Sequence, residues 1–538
     1  MISKEEKTDL RRNLFQHLDG IVTAPSAHAL FEQGVTDFLL EKKACSLQEI
    51  TNKFSANEGY LNVALRILCS QGWLQQEINN REDTITYSIT ETSKIAFSYF
   101  YLYQDVVNLL KLSEKFHTRK FAIEPFRELE KIFHKLIDNY GLQLATDEKI
   151  KVIQQQVLKH IEGIIVGPTI VHLGMSGMFH KYFMEASFKP EEFHQDADSF
   201  QRLLDIFVHF GWFSKRNDTY QFTEKGFFYA QRASAYGVTV SYIPTLRKLD
   251  QLIFGDALAA KNLDDEHLEG HVDRQMNIWG SGGAHTSYFK VVDEIIIAIF
   301  NKPIEEQPKG ILDMGCGNGA FVQHLFNVID QQTLRGKMLE EHPLILVGAD
   351  YNDTALRITK TNLIQADIWA KVVFGDIGRP DLLAEDLEEN YGVNLKDLLN
   401  VRTFLDHNRI WQQPKSVAKE RVSSSTGAFA FEGVRLSNNL VEESLLEHFK
   451  SWAPYVKKYG LLIIELHTVP PALVAANLGK TAATAYDATH GFSDQYIVEV
   501  EVFNKILIEA GLVADDNKVR KFPDSELATV TINLFKSV

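Results

Sequence analysis

Apolar residues change their spacing near residue 300. Before it they recur at three- and four-residue intervals, as in EGYLNVALRILCSQGWL (58–74) and DSFQRLLDIFVHFGWF (198–213), the stripe of an amphipathic helix. After it, short runs rich in β-branched residues, GILDMGC, LILVGADY, KVVFGDI, DLLNVRTFL and GLLIIELH, alternate with helical stretches. Apolar strands separated by helices call for a parallel sheet covered on both faces by its crossovers. The spacing predicts two domains, a mostly helical lobe over 1–270 and an α/β core over 271–538.

The lobe repeats itself. LRILCSQGWLQQE followed by YSITETSK is echoed by LLDIFVHFGWFSKRN followed by YQFTEKGF. Upstream, IVTAPSAHALFEQGVTDFL parallels IVGPTIVHLGMSGMFHKYF. Each copy reads as helices, a Gly-Trp turn and a short β-wing, so the lobe carries two winged-helix-like repeats. Such a unit either reads nucleic acid or serves as a dimerisation or lid module. The net charge of −15, with no basic recognition helix in either copy, favours the second and argues against a nucleic-acid partner. Cys45, Cys69 and Cys316 are far apart, so neither a disulfide framework nor a zinc cluster is expected. No run approaches the roughly 18 apolar residues of a membrane span, and the charged N-terminus has no signal core. A cytoplasmic protein without a membrane partner is the expectation.

GILDMGCGNGAFVQHLF (310–326) is a strand, a glycine-rich turn and a helix. Gly315 and Gly317 let the backbone turn tightly and press against a ligand. A dinucleotide fold begins similarly, but here the spacing is D-x-G-x-G-x-G, with Asp313 ahead of the glycines. The next strand ends in Asp350, suited to ribose hydroxyls, and the third in Asp376 and Ile377, suited to an adenine amine and ring face. In order, these motifs resemble class I S-adenosylmethionine methyltransferases over roughly 285–538, with a seven-stranded Rossmann-like sheet. An acidic Asp313 suits a cationic sulfonium ligand. NIWGSGGAHTSYF (277–289) precedes the first strand and offers Tyr288 and His285 as residues closing over the methyl donor.

Open α/β sheets bind ligands at the carboxyl ends of their strands. TFLDHNRIW brings Asp406 and His407 there, GLLIIELHTVPP brings His467, and THGFSDQY (489–496) returns His490, Asp494 and Gln495 as a polar loop. Histidine with Gln or Asp oxygens is a donor set suited to Fe(II) or Mn(II). His407 also suits a general base in a metal-independent O-methyltransferase, and His467 a satisfied strand-end histidine.

VRTFLDHNR, ELHTVPP and THGFSDQYIVEVEVF, with the Gly-Trp lobe, resemble the metal-dependent methyltransferase domains in loading modules of the saxitoxin and apratoxin polyketide synthases. The resemblance implies C-methylation of a malonyl thioester on an acyl carrier protein, beside other polyketide synthase domains, to build a starter unit. It implies one iron or manganese ion held by His467 and Gln495, with Asp406 or Asp494 as a carboxylate ligand, stabilising the enolate. His407 and Asp406 become the catalytic pair. The carrier protein is acidic, so TLRKLD (245–250) and YVKKYG (455–460) are candidate docking patches. Two other readings stay open, a metal-independent small-molecule O-methyltransferase and a non-catalytic S-adenosylmethionine-binding regulator.

Overall fold

The structure, a computed structural model, describes residues 2–115, 123–182, 187–261, 270–418, 420–514 and 519–537, and at 182, 261 and 283–287 the backbone alone. The chain forms two compact units. Unit 1 takes residues 1–283 with 430–435 and 470–493; unit 2 takes 284–429, 436–469 and 494–538.

The long helices of unit 1 are α1 (Lys4–Glu32), α2 (Glu58–Ser70), α3 (Glu148–Met175) and α4 (Ala197–His209). α1 and α3 meet backbone to backbone. A Cβ on Gly20 would lie 2.4 Å from the His160 Cα, and one on Gly163 2.5 Å from the His17 carbonyl oxygen. Only glycine permits that approach.

Both wings form. α2 passes through Gly72 (φ +79°) into β2 (Leu74–Asn79) and β3 (Thr84–Ile89), and β1 (Ala44–Ser46) pairs with β3. α4 passes through Gly211 (φ +74°) into β4 (Phe213–Arg216) and β5 (Thr219–Phe222). The repeat extends to single atoms. Trp73 N donates to Leu68 O at 3.0 Å and Trp212 N to Phe207 O at 2.8 Å. The Thr90 hydroxyl donates to Gly72 O and the Thr223 hydroxyl to Gly211 O.

Segment 470–493 packs within unit 1, and a helix, Ala483–Gly491, takes the first three residues of the expected polar loop, Thr489 to Gly491, before the chain turns out of it. Small residues explain this: Ala483, Ala485 and Ala488 are fully buried, and a Cβ on Gly491 would press Val63 at 2.8 Å. Arg66 Nε donates to Asp487 Oδ2 at 2.8 Å with both side chains buried, and Gln71 donates to the Thr484 hydroxyl.

The helix α5 (Arg274–Phe300) precedes the sheet of unit 2. Its strands are β6 (Gly310–Met314), β7 (Ile345–Asp350), β8 (Lys371–Phe374), β9 (Leu398–Thr403), β12 (Leu461–Leu466), β13 (Leu512–Ala514), β14 (Arg520–Phe522) and β15 (Val530–Ser537). Between them come a hairpin, β10 (Phe429–Phe431) and β11 (Val434–Leu436), and the helices α6 (Ala320–Gln332), α7 (Asp353–Gln365), α8 (Asn438–Val456) and α9 (Val500–Glu509). The sheet order is β13-β15-β12-β9-β6-β7-β8, with β14 added against β15. β8, β7, β6, β9 and β12 run parallel and β15 antiparallel, so Met314, Asp350, Phe374, Thr403 and Leu466 end on one edge. The seven-strand order matches the expected fold, and β14 is an eighth strand the sequence did not announce. All six residues of β12 are buried, which is why it reads as one apolar run.

Candidate active site at the carboxyl edge of the sheet

After β6 the chain turns through Gly315, Gly317 and Gly319, with φ of +80°, +56° and +78°. At Gly315 a Cβ would meet the Leu405 side chain at 2.9 Å, whereas at Gly317 the nearest atom would be 4.0 Å away. The turn is tight on one side and has room on the other. Asp350 fastens it, accepting from Gly317 N at 3.0 Å and Asn352 N at 2.9 Å. Below the loop Asp313 is buried, and its Oδ1 has no hydrogen-bond partner among the described residues. Burial and the charge of Asp350 push its carboxyl up to about 8.

Two strands away, Asp376 accepts from Gly378 N at 2.8 Å, and Ile377 is buried with its carbonyl accepting from Trp452 Nε1 at 2.7 Å. The Tyr288 ring lies 5.1 Å from Phe522 and 6.1 Å from Phe404, directly after β9. The His285 side chain lies outside the described residues. The donor set suits a cation with a nucleoside: an uncompensated carboxyl under the loop, an open face at Gly317, and acidic residues closing the next two strands.

Glu465, which sequence reasoning passed over, organises the other half of the site. It is 1% exposed near the end of β12. Its Oε1 accepts from His407 Nδ1 at 2.6 Å and Leu466 N at 2.7 Å, and its Oε2 accepts from Asp406 N at 2.9 Å. A carboxylate only accepts, so the proton of neutral His407 sits on Nδ1 and the lone pair on Nε2. That is the arrangement of an oriented general base. The signal was a lone glutamate in GLLIIEL, a charge that a fully buried strand keeps only with partners.

Asp406 turns the other way. Fully buried, it accepts from Arg402 Nη1 at 2.5 Å and His448 Nε2 at 2.8 Å. Burial raises its carboxyl, but the Arg402 charge and the His448 hydrogen bond outweigh this and hold it at about 2. The Arg402 guanidinium stacks 4.0 Å over Trp452. Asp406 therefore stays an anion that fixes the turn carrying His407.

His467 is fully buried. Its Nδ1 is 3.2 Å from Val498 O and must donate, so its Nε2, 2.8 Å from Thr531 Oγ1, must accept. Burial lowers its pKa to about 3, with a smaller contribution from His407 in the same direction. Both ring nitrogens are engaged, so an ion at Nε2 would have to displace the Thr531 hydroxyl. Gln495 is buried beside Tyr496, whose N donates to the His407 carbonyl at 2.8 Å. Among the described residues no group of three or more His, Cys, Asp or Glu could hold a metal. As the side chains stand, the expected iron or manganese site would need His467 to release Thr531 first. His490 bonds the Tyr486 carbonyl within unit 1.

Three family models match the chain in order: an AprA N-terminal domain over 10–76, an AprA winged helix domain over 162–256 and an AprA MT2-like methyltransferase domain over 269–533. Among solved structures, the mitomycin 7-O-methyltransferase MmcR is 11% identical, covering 72% of this chain and 98% of its own, at a TM-score of 0.40. The CurJ carbon methyltransferase is 12% identical, covering 76% and 99%, at 0.32. An O-methyltransferase family 2 protein from Planctomyces limnophilus, in complex with apigenin, is 12% identical, covering 98% and 96%, at 0.39. No curated protein matches.

Proposed function

Because this chain is an AprA-type S-adenosylmethionine-dependent methyltransferase, we propose that its acceptor is C2 of a malonyl thioester on an acyl carrier protein, making a polyketide starter unit. The observation that carries the reading is the buried His407–Glu465 pair, one strand from the glycine loop. S-adenosylmethionine, when bound, supplies an electrophilic methyl group on a sulfonium. In this reading Asp313, Gly315, Gly317 and Asp350 hold the donor's charged and ribose parts, Asp376 and Ile377 its base, and Tyr288 its outer side. His407 Nε2 takes the C2 proton, which two flanking carbonyls acidify. Glu465 keeps the imidazole in the right tautomer and stabilises it once charged. Asp406, Arg402 and His448 hold the turn rigid.

The family resemblance adds iron or manganese at His467 and Gln495. His467 would first have to release Thr531, so no step is assigned to the ion. The engaged nitrogens of His467 favour a second reading, metal-independent O-methylation of a small molecule by the same base.

The test is incubation with malonyl-loaded carrier protein and S-adenosylmethionine, with chelator or Fe(II), reading acyl mass. The expected result is a gain of one CH2 that His407→Ala reduces by about 10²–10⁴-fold. Methylation of a free phenol or acid with malonyl untouched would establish the second reading. Loss on chelation with rescue by Fe(II) would return the metal to His467 and Gln495.

A further inference from the structure

TLRKLD was a candidate docking patch, but Arg247 and Lys248 do not face open solvent alone. Among the described residues they line a cavity of about 430 Å³ inside unit 1. Its walls include Leu109, Leu129, Ile164, Val240, Val272 and Met276, all buried. Protein interiors pack with few voids larger than a water molecule, and this one is in the size range of small-molecule sites. Part of its wall is the stretch of α3 holding Pro168, which has no N–H to return to the Ile164 carbonyl.

The lining also carries charged groups. Asp273, also in the lining, caps α5 by accepting from Met276 N at 2.9 Å. Lys248 Nζ donates to Ala260 O at 3.2 Å. Arg247 pairs through Nη2 with Glu114, and its buried Nε has no hydrogen-bond partner among the described residues. Glu114 is 74% exposed while Arg247 is 15% exposed, so the carboxylate reaches in from solvent to a guanidinium fixed in the wall. Burial of that kind leaves Arg247 seeking a second acceptor.

We propose that this cavity binds an apolar carboxylate, its chain among Leu109, Leu129 and Val240 and its head group on Arg247 in place of Glu114. An aliphatic body matches the walls, and the planar fork of Arg247 matches a carboxylate. The site uses none of the residues assigned to methyl transfer.

Calorimetric titration of the full chain with decanoate, and with decanol as the uncharged control, tests this. Decanoate binds and decanol binds at least about tenfold more weakly, the difference one charge-assisted pair makes. Arg247→Gln removes that preference. Glu114→Gln, a change at an exposed position, tightens decanoate several-fold because the competing carboxylate is gone. Equal binding of acid and alcohol, no response to Glu114→Gln, or no binding of either would each overturn the proposal. Val240→Phe, which fills the cavity, weakens both ligands if they sit there; unchanged affinity in that variant would place them elsewhere and likewise overturn it.

Discussion

Asp313 shows how a single residue can stay poorly solvated for a purpose. Its carboxyl is pushed up to about 8 by burial and by Asp350, so in the free protein at neutral pH it is mostly protonated. A cationic ligand prefers the ionised form. Binding of S-adenosylmethionine should therefore release a proton and strengthen as pH rises toward about 8, by up to about tenfold per unit. Calorimetry of the wild type against Asp313→Asn isolates this from the ligand's own amino group, because the variant keeps the ligand's titration and loses the residue's. Parallel pH profiles would show that Asp313 is indifferent to the cofactor. The same shift costs stability, since a carboxyl with a raised folded pKa binds more protons folded than unfolded. That contribution weakens the fold as pH climbs from about 4 to 8. The residues at the glycine loop were legible because backbone chemistry names them: three left-handed positions demand glycine. Glu465 was not, and His467 was legible only as one of two open readings, a metal ligand or a satisfied strand-end histidine. Spacing places a residue at a strand end, but it does not say that His467 turns back to Thr531 and Val498 while Glu465 takes His407.

At the scale of elements, the alternation of strands and helices was legible because parallel strands buried on both faces must be apolar throughout. The winged repeats were legible because a Gly-Trp turn with a following threonine recurs with its hydrogen bonds intact. Glycines inside helices can be held there by packing. NIWGSGGAHTSYF, with three glycines, lies within α5, and a Cβ on Gly280 would approach Gly237 at 2.6 Å, so packing overrides weak propensity. The α1–α3 crossing makes the point testable. Gly163→Ala on an ordinary exposed helix gains up to about 1 kcal/mol. Here the new methyl would sit 2.5 Å from the His17 carbonyl, and the loss expected from forcing the helices apart is about 1–3 kcal/mol. Urea unfolding measures the sign directly, and stabilisation would mean that the helices separate without cost.

For the whole molecule, the consequential feature is that segment 470–493 lies inside the methyltransferase family match yet packs in unit 1. Its contacts there are a buried ion pair, Arg66–Asp487, a hydrogen bond from Gln71 to Thr484, and the apolar seam of Gly491 on Val63. A methyltransferase domain cut at 269 keeps Asp487 and loses Arg66, leaving a carboxylate and several buried alanines without their surroundings. Removing one partner of a buried pair costs about 3–5 kcal/mol, far more than a surface pair. A fragment spanning 269–538 should therefore be cleaved by protease between 470 and 493 under conditions in which the full chain resists. Arg66→Met in the full chain should expose the same segment, and Arg66→Met with Asp487→Leu should restore much of the protection, since an apolar pair of similar volume can replace a buried ion pair. Equal protection of the fragment and the full chain would show that the segment folds without the N-terminal helices. THGFSDQY spans the break itself: Thr489 to Ser493 belong to unit 1 and Asp494 to Tyr496 to unit 2. No local pattern marks that division, because it depends on partners more than 400 residues away, as the separation of 421 between Arg66 and Asp487 illustrates.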